Sequence, residues 1–342
     1  MQPDLAMFSP NGRGTILVTG GAGYIGSHVC KLLAAQGMLP VTYDNLVRGH
    51  AHAVKWGPLV TGDLEDGCKL AGAIEEYQPE AIIHFAAYTY VGESVSDPAK
   101  YYKNNIIGTL ALLDAMRRTG PNIIVFSSSA ATYGDAGSNL IGEQAHQRPT
   151  NPYGWTKFIM ERALHDYSTP YGIRYVALRY FNACGADLDC EIGEEHDPET
   201  HLIPRALMAV AGEIPYLELY GDDYDTPDGT CLRDYIHVAD LARGHVAALN
   251  YLRSGGESCS VNLGSGRGTS VKEILAAVER ITGKKVPVKM SGRRAGDPPV
   301  LVASPNRARE LFEFVTQNSD IDIIVHSASR FYLRGTEQWP SG

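Results

Sequence analysis

Short apolar runs alternate with helical patterns from residue 15 to about residue 180. The helical patterns are clearest at 25–36, 101–118 and 152–167. The runs between them are almost entirely apolar, which is typical of strands that are buried on both faces. This alternation predicts an α/β fold in which a doubly wound parallel sheet is covered by helices on both sides. The predicted strands are 15–18, 39–43, 59–60, 81–85, 123–126 and 175–178.

A glycine-rich turn joins the first predicted strand to the first predicted helix. It reads Thr-Gly-Gly-Ala-Gly-Tyr-Ile-Gly over residues 19–26. Glycines at such a turn let a pyrophosphate approach the backbone and lie at the positive end of the helix. The second strand ends in Asp44, where a carboxylate would meet a ribose 2′-hydroxyl. Together these features predict a dinucleotide site on a Rossmann-type domain, and the acid favours NAD over NADP.

The strand–helix alternation breaks after Asn182. Residues 183–200 are irregular and acidic, and we expect a solvated loop there; residues 220–229 form a second, turn-rich loop. Apolar runs at 233–238 and 261–263 are expected to rejoin the large sheet. The chain thus predicts a Rossmann-type NAD-binding domain and a smaller, discontinuous α/β substrate-binding domain. The predicted NAD-binding domain covers 14–182 with 233–264 returning to it, and the substrate domain covers 183–232 and 265–342.

Composition narrows the classes of partner. The chain has 342 residues, 44% of them hydrophobic, which suits a large buried core. A net charge of −9 argues against nucleic acid or an anionic membrane as the main partner. Without a signal-peptide pattern or a run of eighteen apolar residues, we expect a cytoplasmic protein. Six scattered cysteines predict free thiols, and the histidines form no ligand-spaced cluster with Cys or Asp, so no metal site is expected.

Three residues suggest proton-transfer chemistry. Tyr153 and Lys157 lie one turn apart on a helix that starts after Asn151, so they share a face. A tyrosine acts as a base at neutral pH only if nearby positive charge stabilises its phenolate, and Lys157 could supply that charge. Ser129 follows the fifth strand, where its hydroxyl could bind a sugar oxygen and relay its proton.

The chain resembles the UDP-glucose 4-epimerase group of the extended short-chain dehydrogenase/reductase family over roughly residues 15–310. The matching stretches are 19–28 (TGGAGYIGSH), 43–46 (YDNL), 84–87 (HFAA), 91–94 (VGES), 151–154 (NPYG), 178–182 (LRYFN), 229–238 (GTCLRDYIHV) and 293–297 (RRAGD). Within that family, the stretches at 229–238 and 293–297 are specific to nucleotide-sugar epimerases.

The resemblance implies three sets of site residues. The catalytic set is Tyr153 as base, with Lys157 and Ser129. The cofactor set is Gly20, Gly23, Tyr24, Ile25, Gly26, Asp44, Asn45, Asp63, Leu64, Phe85, Ala86, Asn105, Lys157 and Tyr180. The set expected to hold the UDP-sugar is Ser129, Tyr153, Asn182, Leu202, Arg233, Tyr235, Arg294, Asp297 and Leu301.

The chain departs from the family pattern at three positions. Thr89 replaces a frequent lysine, and His201 stands where an asparagine often contacts the substrate. Leu301 replaces a bulky tyrosine found in some members, which leaves room for N-acetylated sugars. A 4,6-dehydratase is disfavoured, because Ala130 and Ala131 stand where dehydratases carry an Asp-Glu pair.

The resemblance implies 4-epimerisation of a UDP-sugar, UDP-glucose/UDP-galactose first, with NAD retained through each turnover. UDP-xylose/UDP-arabinose or UDP-N-acetylglucosamine are the alternative substrates, and a non-catalytic NAD-binding protein is the alternative from another class. By analogy with the family, we also expect a homodimer formed through the helices at 101–118 and 152–167.

Overall fold

The computed structural model describes residues 14–137, 140–294 and 297–334. The strands are β1 (Thr15–Thr19), β2 (Leu39–Asp44), β3 (Leu59–Thr61), β4 (Ala81–His84), β5 (Ile123–Ser127), β6 (Arg174–Tyr180), β7 (Asn182–Cys184), β8 (Leu217–Tyr220), β9 (Leu232–His237), β10 (Cys259–Leu263), β11 (Gly268–Ser270), β12 (Val288–Ser291) and β13 (Val300–Leu301). The helices are α1 (Tyr24–Ala35), α2 (Gly67–Tyr77), α3 (Val91–Ser96), α4 (Pro98–Tyr101), α5 (Gly108–Thr119), α6 (Pro152–Tyr171), α7 (Leu202–Ala211), α8 (Val238–Arg253), α9 (Val271–Thr282), α10 (Asn306–Phe312) and α11 (Ile321–Tyr332).

The largest sheet has seven parallel strands in the order β10-β6-β5-β4-β1-β2-β3. Alternate residues of its central strands point to opposite faces. Ile16 and Val18 of β1 pack into one core with α1 and α8, whereas Leu17 packs into a second core with α2, α5 and α6. Apolar residues are therefore needed at every position of these strands, which explains their continuous apolar runs. The predicted doubly wound Rossmann-type fold is confirmed.

A smaller α/β region follows the large sheet. In it, β9 pairs with β11, β13 and β7, and β8 pairs with β12. The helices α7, α9 and α11 pack together around a separate core that includes Leu207, Ile274 and Ile324. The domain boundaries stated above remain a prediction, and 335–342 lie outside the described residues.

The strand at 233–238 was expected in the large sheet, and that expectation is wrong. β7 follows β6 after the single residue Phe181, and β9 pairs with β7 with Asn182 opposite Tyr235. A buried apolar strand satisfies either sheet equally well, so its sequence does not identify its partner. The run at 261–263 does rejoin the large sheet, as part of β10 beside β6.

The helix expected over 101–118 is interrupted. Residues 102–107 form a π-helical segment between α4 and α5. Within it, the side chain of Asn105 is buried; its Oδ1 accepts a hydrogen bond from Tyr88 N (2.8 Å), and its Nδ2 donates to Tyr88 O (2.9 Å). Such wider turns are frequent near functional sites. Here the segment fixes the loop that follows β4.

Candidate active site

The glycine turn between β1 and α1 is built for close backbone approach. Gly20 has φ +74°, and a Cβ there would lie 2.6 Å from Ala86 N, so only glycine fits. At Gly23, the N-cap of α1, no side chain caps the helix. The first amides of α1 are therefore left for an external acceptor, which suits a pyrophosphate.

Asp44 lies at the end of β2, beside this turn. Its carboxylate accepts hydrogen bonds from Ala22 N (3.0 Å) and Leu46 N (2.8 Å), which fix its orientation. Burial raises the pKa of Asp44, while these two bonds oppose the shift. A carboxylate held in this way can accept from ribose hydroxyls. The turn, the uncapped helix and Asp44 together fit NAD.

One cavity of about 1220 Å³ brings most of the predicted site residues together. Three of the predicted residues do not line it: Asn105, Lys157 and Arg233 are buried just behind its walls. The predicted residues that line it are Gly20, Gly23, Tyr24, Ile25, Gly26, Asp44, Asn45, Asp63, Leu64, Phe85, Ala86, Ser129, Tyr153, Tyr180, Asn182, Leu202, Tyr235, Arg294, Asp297 and Leu301.

The start of α6 positions the tyrosine. Asn151 caps the helix by accepting from Gly154 N (2.9 Å), and Pro152 occupies its first position. This places Tyr153 in the first turn, where its hydroxyl is hydrogen-bonded to Ser129. Burial raises the pKa of Tyr153, and the bond with Ser129 lowers it.

Lys157 lies one turn further along α6 and is also buried. Its Nζ donates to Ser127 O (2.7 Å) and lies 5.9 Å from the centre of the Tyr153 ring. Burial lowers the pKa of Lys157 to about 7. The chain's own groups therefore do not give Tyr153 the lowered pKa that a base needs. A cationic nicotinamide, if bound, would add the positive charge that the chain does not supply.

Of the two arginines singled out in the sequence, Arg294 lines the cavity, and Arg233 is buried behind its wall. Arg233 Nη2 donates to Asp297 Oδ1 (2.6 Å), and its side chain is largely buried. Arg294 lies over the Tyr220 ring at 3.9 Å. Leu301 packs against the small buried cluster of Ala130, Tyr133 and Ile141. Planar guanidinium groups of this kind suit diphosphate oxygens.

The loop at 183–200 is not simply solvated, contrary to expectation. Glu194 and the side chain of Glu199 are buried, and both meet His196 and His201. One ligand atom from each of the four lies within 4.8 Å of the others. The sequence analysis missed this cluster because it paired histidines only with Cys or Asp. The regular spacing of these residues over 194–201 was the available signal.

The pKa values in this cluster follow from its ion pairs. Burial alone would lower the pKa of both histidines, but Glu194 and Glu199 outweigh burial and raise the pKa of His196 to about 9 and that of His201 to about 10. Burial would raise the pKa of both glutamates, but the histidines lower it. The cluster therefore carries two positive and two negative charges at neutral pH.

Comparison with known proteins identifies the family. A model of the NAD dependent epimerase/dehydratase family matches residues 16–264. The chain belongs to this family. UDP-glucose 4-epimerase of Rhizobium meliloti is 51% identical over 319 residues, which are 93% of this chain and 97% of the relative. The enzyme of that name from Lacticaseibacillus casei is 46% identical, over 96% of this chain and 98% of the relative.

Solved structures of the family extend the likeness to three dimensions. UDP-glucose 4-epimerase from Brucella ovis in complex with NAD superimposes with a TM-score of 0.92 at 59% identity, over 93% of this chain and 98% of that one. The enzyme from Stenotrophomonas maltophila with bound NAD and formylated UDP-arabinopyranose gives 0.91 at 38% identity, over 94% and 98% of the two chains. The predicted resemblance to this family is confirmed.

Proposed function

We propose that the protein is a NAD-dependent UDP-sugar 4-epimerase that interconverts UDP-glucose and UDP-galactose. One observation carries the proposal: a single cavity joins the glycine turn and Asp44 to Arg294 and Asp297, and Ser129 and Tyr153 also line it. Its volume of about 1220 Å³ exceeds the roughly 300–1,000 Å³ of ordinary small-ligand sites. A dinucleotide and a nucleotide sugar together require such a space.

The chain's own residues have distinct parts in the proposed reaction. Tyr153, as phenolate, takes the proton of the sugar 4-hydroxyl, and Ser129 holds the same oxygen through its hydroxyl. NAD, which the glycine turn and Asp44 would hold, would supply the acceptor and donor of the C4 hydride. Arg233 and Arg294 hold the diphosphate, so that the ketone can turn without leaving the site.

UDP-pentoses and UDP-N-acetylhexosamines are second candidates, favoured by Leu301. This side chain lines the cavity where a tyrosine would leave less room. Similar solved structures include the complex with formylated UDP-arabinopyranose and the UDP-Glc/GlcNAc 4-epimerase of Campylobacter jejuni, which is 38% identical. The sugar pocket therefore calls for a direct comparison of substrates.

The test is incubation of the purified protein, with no added NAD, with UDP-glucose, UDP-N-acetylglucosamine and UDP-xylose in turn. NMR of the products should show the 4-epimer of UDP-glucose. Tyr153→Phe should lower turnover by at least about 100-fold, since general-base catalysis supplies roughly 10²–10⁴-fold, and leave bound NAD unchanged. Tyr171→Phe, at the exposed end of α6, is the matched control and should be near normal.

Two results would contradict the proposal. No turnover of any of the three sugars would favour a non-catalytic NAD-binding protein. A requirement for external NAD would contradict cofactor retention.

We further propose that the protein acts in the cytoplasm as a homodimer. All six cysteines are free thiols, which supports a reducing compartment. Large apolar side chains are exposed on the neighbouring elements α3, 102–107 and α6, namely Val95, Tyr102, Ile107 and Trp155. An apolar surface of this kind supports contact with a second copy. Within the described ranges, no helix combines the length and apolar character needed to cross a bilayer.

A further inference from the structure

Residues 187–201, called the strap below, connect the region after β7 to the start of α7. Ile192, Gly193, Glu194 and His196 of the strap line the same cavity as the glycine turn and Asp44. The strap therefore forms a wall of the dinucleotide end of the cavity, although it lies outside the large sheet. The strap is held in place by contacts with α1, with the loop after β2 and with the start of α7.

Outside the cavity, a lysine of α1 pairs with the carboxylates in the first part of the strap. Lys31 lies on α1, one turn and more beyond the cavity-lining part of that helix. Its Nζ lies 2.8 Å from Asp187, 2.9 Å from Asp189 and 2.7 Å from Glu191. One cation thus reduces the repulsion among three neighbouring carboxylates.

Residues of the loop after β2 hold the middle of the strap. His50 Nε2 lies 2.8 Å from Glu195 O, and His52 Nε2 lies 2.7 Å from the Glu195 carboxylate.

Two cations of the same loop bind backbone carbonyls elsewhere in the strap. Arg48 donates to Asp197 O (2.5 Å), and Lys55 Nζ donates to Glu191 O (2.8 Å). The segments that carry the glycine turn and Asp44 are therefore the same segments that bind the strap.

The end of the strap is closed by the cluster of Glu194, His196, Glu199 and His201. His201 Nδ1 lies 2.8 Å from Glu194 and 2.9 Å from Glu199, and His196 Nδ1 lies 3.1 Å from Glu194. His201 is also the N-cap of α7, and the ring of His196 contacts the ring of Tyr24 of α1 edge-on. The cluster therefore joins α7, the strap and the helix at the dinucleotide turn.

We infer that the strap retains the dinucleotide, and that Lys31 and the Glu/His cluster are positioning residues which keep it closed. NAD can leave at an appreciable rate only when these ion pairs break and the wall moves. This inference rests on the proposed function, which needs a cofactor that stays bound between turnovers. It assigns a role to a charged loop that carries none in the proposed reaction.

Lys31→Met gives the sharpest test, because Lys31 does not line the cavity and its Nζ pairs with three carboxylates of the strap. We expect the variant to release NAD about fivefold faster or more, since the loss of an ion-pair network costs about 1 kcal/mol. Lys289→Met, the same change at an exposed lysine of β12, is the control. The measurements are NAD content after gel filtration and the rate of exchange with labelled NAD.

A second variant, Glu199→Gln, tests the cluster, with Glu75→Gln on the exposed face of α2 as its control. Glu199→Gln should also speed NAD release. Saturating NAD should restore wild-type kcat in both Lys31→Met and Glu199→Gln. Circular dichroism checks that each variant is folded. Wild-type release rates in both folded variants would overturn the inference.

Two further results would also overturn it. A kcat that NAD does not restore would place these residues in the reaction itself. One equivalent of divalent metal in the purified protein, with NAD lost on chelation, would make the cluster a metal site. Failure of epimerisation with NAD still bound would instead count against the proposed function alone.

Discussion

The proposed base and its lysine partner are both buried, and burial works against both of their charged forms. It raises the pKa of Tyr153 and lowers the pKa of Lys157 to about 7. The bond from Ser129 is the one contribution from the chain that favours the phenolate of Tyr153. We therefore expect proton transfer to depend on occupancy of the site, because a cationic nicotinamide would supply the missing positive charge. The apo protein holds its base protonated.

The histidines of the strap make a pH-dependent contribution to stability. Their pKa values are raised in the folded protein to about 9 and about 10, above the usual value near 6.5. Their contribution is therefore complete below about pH 6.5 and is lost as the pH rises through 9 to 10. Tyr24 and Tyr90 face the cluster, but burial raises the pKa of Tyr90 to about 12 and that of Tyr24 well above its usual value, so both stay neutral over this range.

The expected result is that His201→Asn lowers the melting temperature more at pH 6.5 than at pH 9.5. The other charged groups that face the cluster are Arg48, which lies over the Tyr90 ring, and Arg205, which donates to Glu199 O. Thermal unfolding of wild type and variant in parallel buffers gives the comparison, with His165→Asn on the exposed face of α6 as control. An equal difference at both pH values would show that the ion pairs are not the source.

At the scale of elements, α6 depends on its first turn. Asn151→Ala removes the cap that Gly154 N donates to, and should destabilise the protein by about 1 kcal/mol. The same change loosens the helical turn that carries Tyr153. We therefore expect kcat to fall by a larger factor than the factor by which KM changes. Asn151→Asp keeps a capping oxygen and should restore both properties. Calorimetry and steady-state kinetics test this, and a stable Ala variant with normal kcat would contradict it.

Elements whose signals are local in sequence were predictable, and elements that depend on distant partners were not. The strand–turn–helix around Gly20 follows from apolar periodicity and glycine spacing, so β1, α1 and Asp44 are found where expected. The partner of β9 depends on β7, three residues long and without a pattern of its own. The burial of Glu194 depends on His201, seven residues away across an irregular loop.

On the scale of the whole molecule, the two regions contribute to one site. The large sheet supplies the glycine turn, Asp44 and Ser129, and the smaller region supplies Arg294 and Leu301. The strap lies between them: Lys31 of α1 binds Asp187 on one side, and Arg330 of α11 donates to Leu188 O on the other. The sheet, the smaller region and the strap thus surround a single cavity, which is the arrangement that a retained cofactor and a turning substrate require.

The homodimer proposal makes a prediction at this same scale. Ile107 is 53% exposed on the π-helical segment, next to α6 with its exposed Trp155. Burying an isoleucine contributes roughly 1.5–3 kcal/mol, and burying an unpaired charge costs more, so Ile107→Glu should split the dimer. Val315→Glu, at a similarly exposed valine outside these elements, is the control and should leave the dimer intact.

Light scattering after gel filtration should give about twice the chain mass of 37.1 kDa for wild type and the control, and about that mass for Ile107→Glu. A wild-type protein at the mass of one chain would contradict the dimer. A variant that remains dimeric would place the interface on another face. The π-helical segment also holds Asn105 against Tyr88, so the charge is placed on its outer side, away from the site.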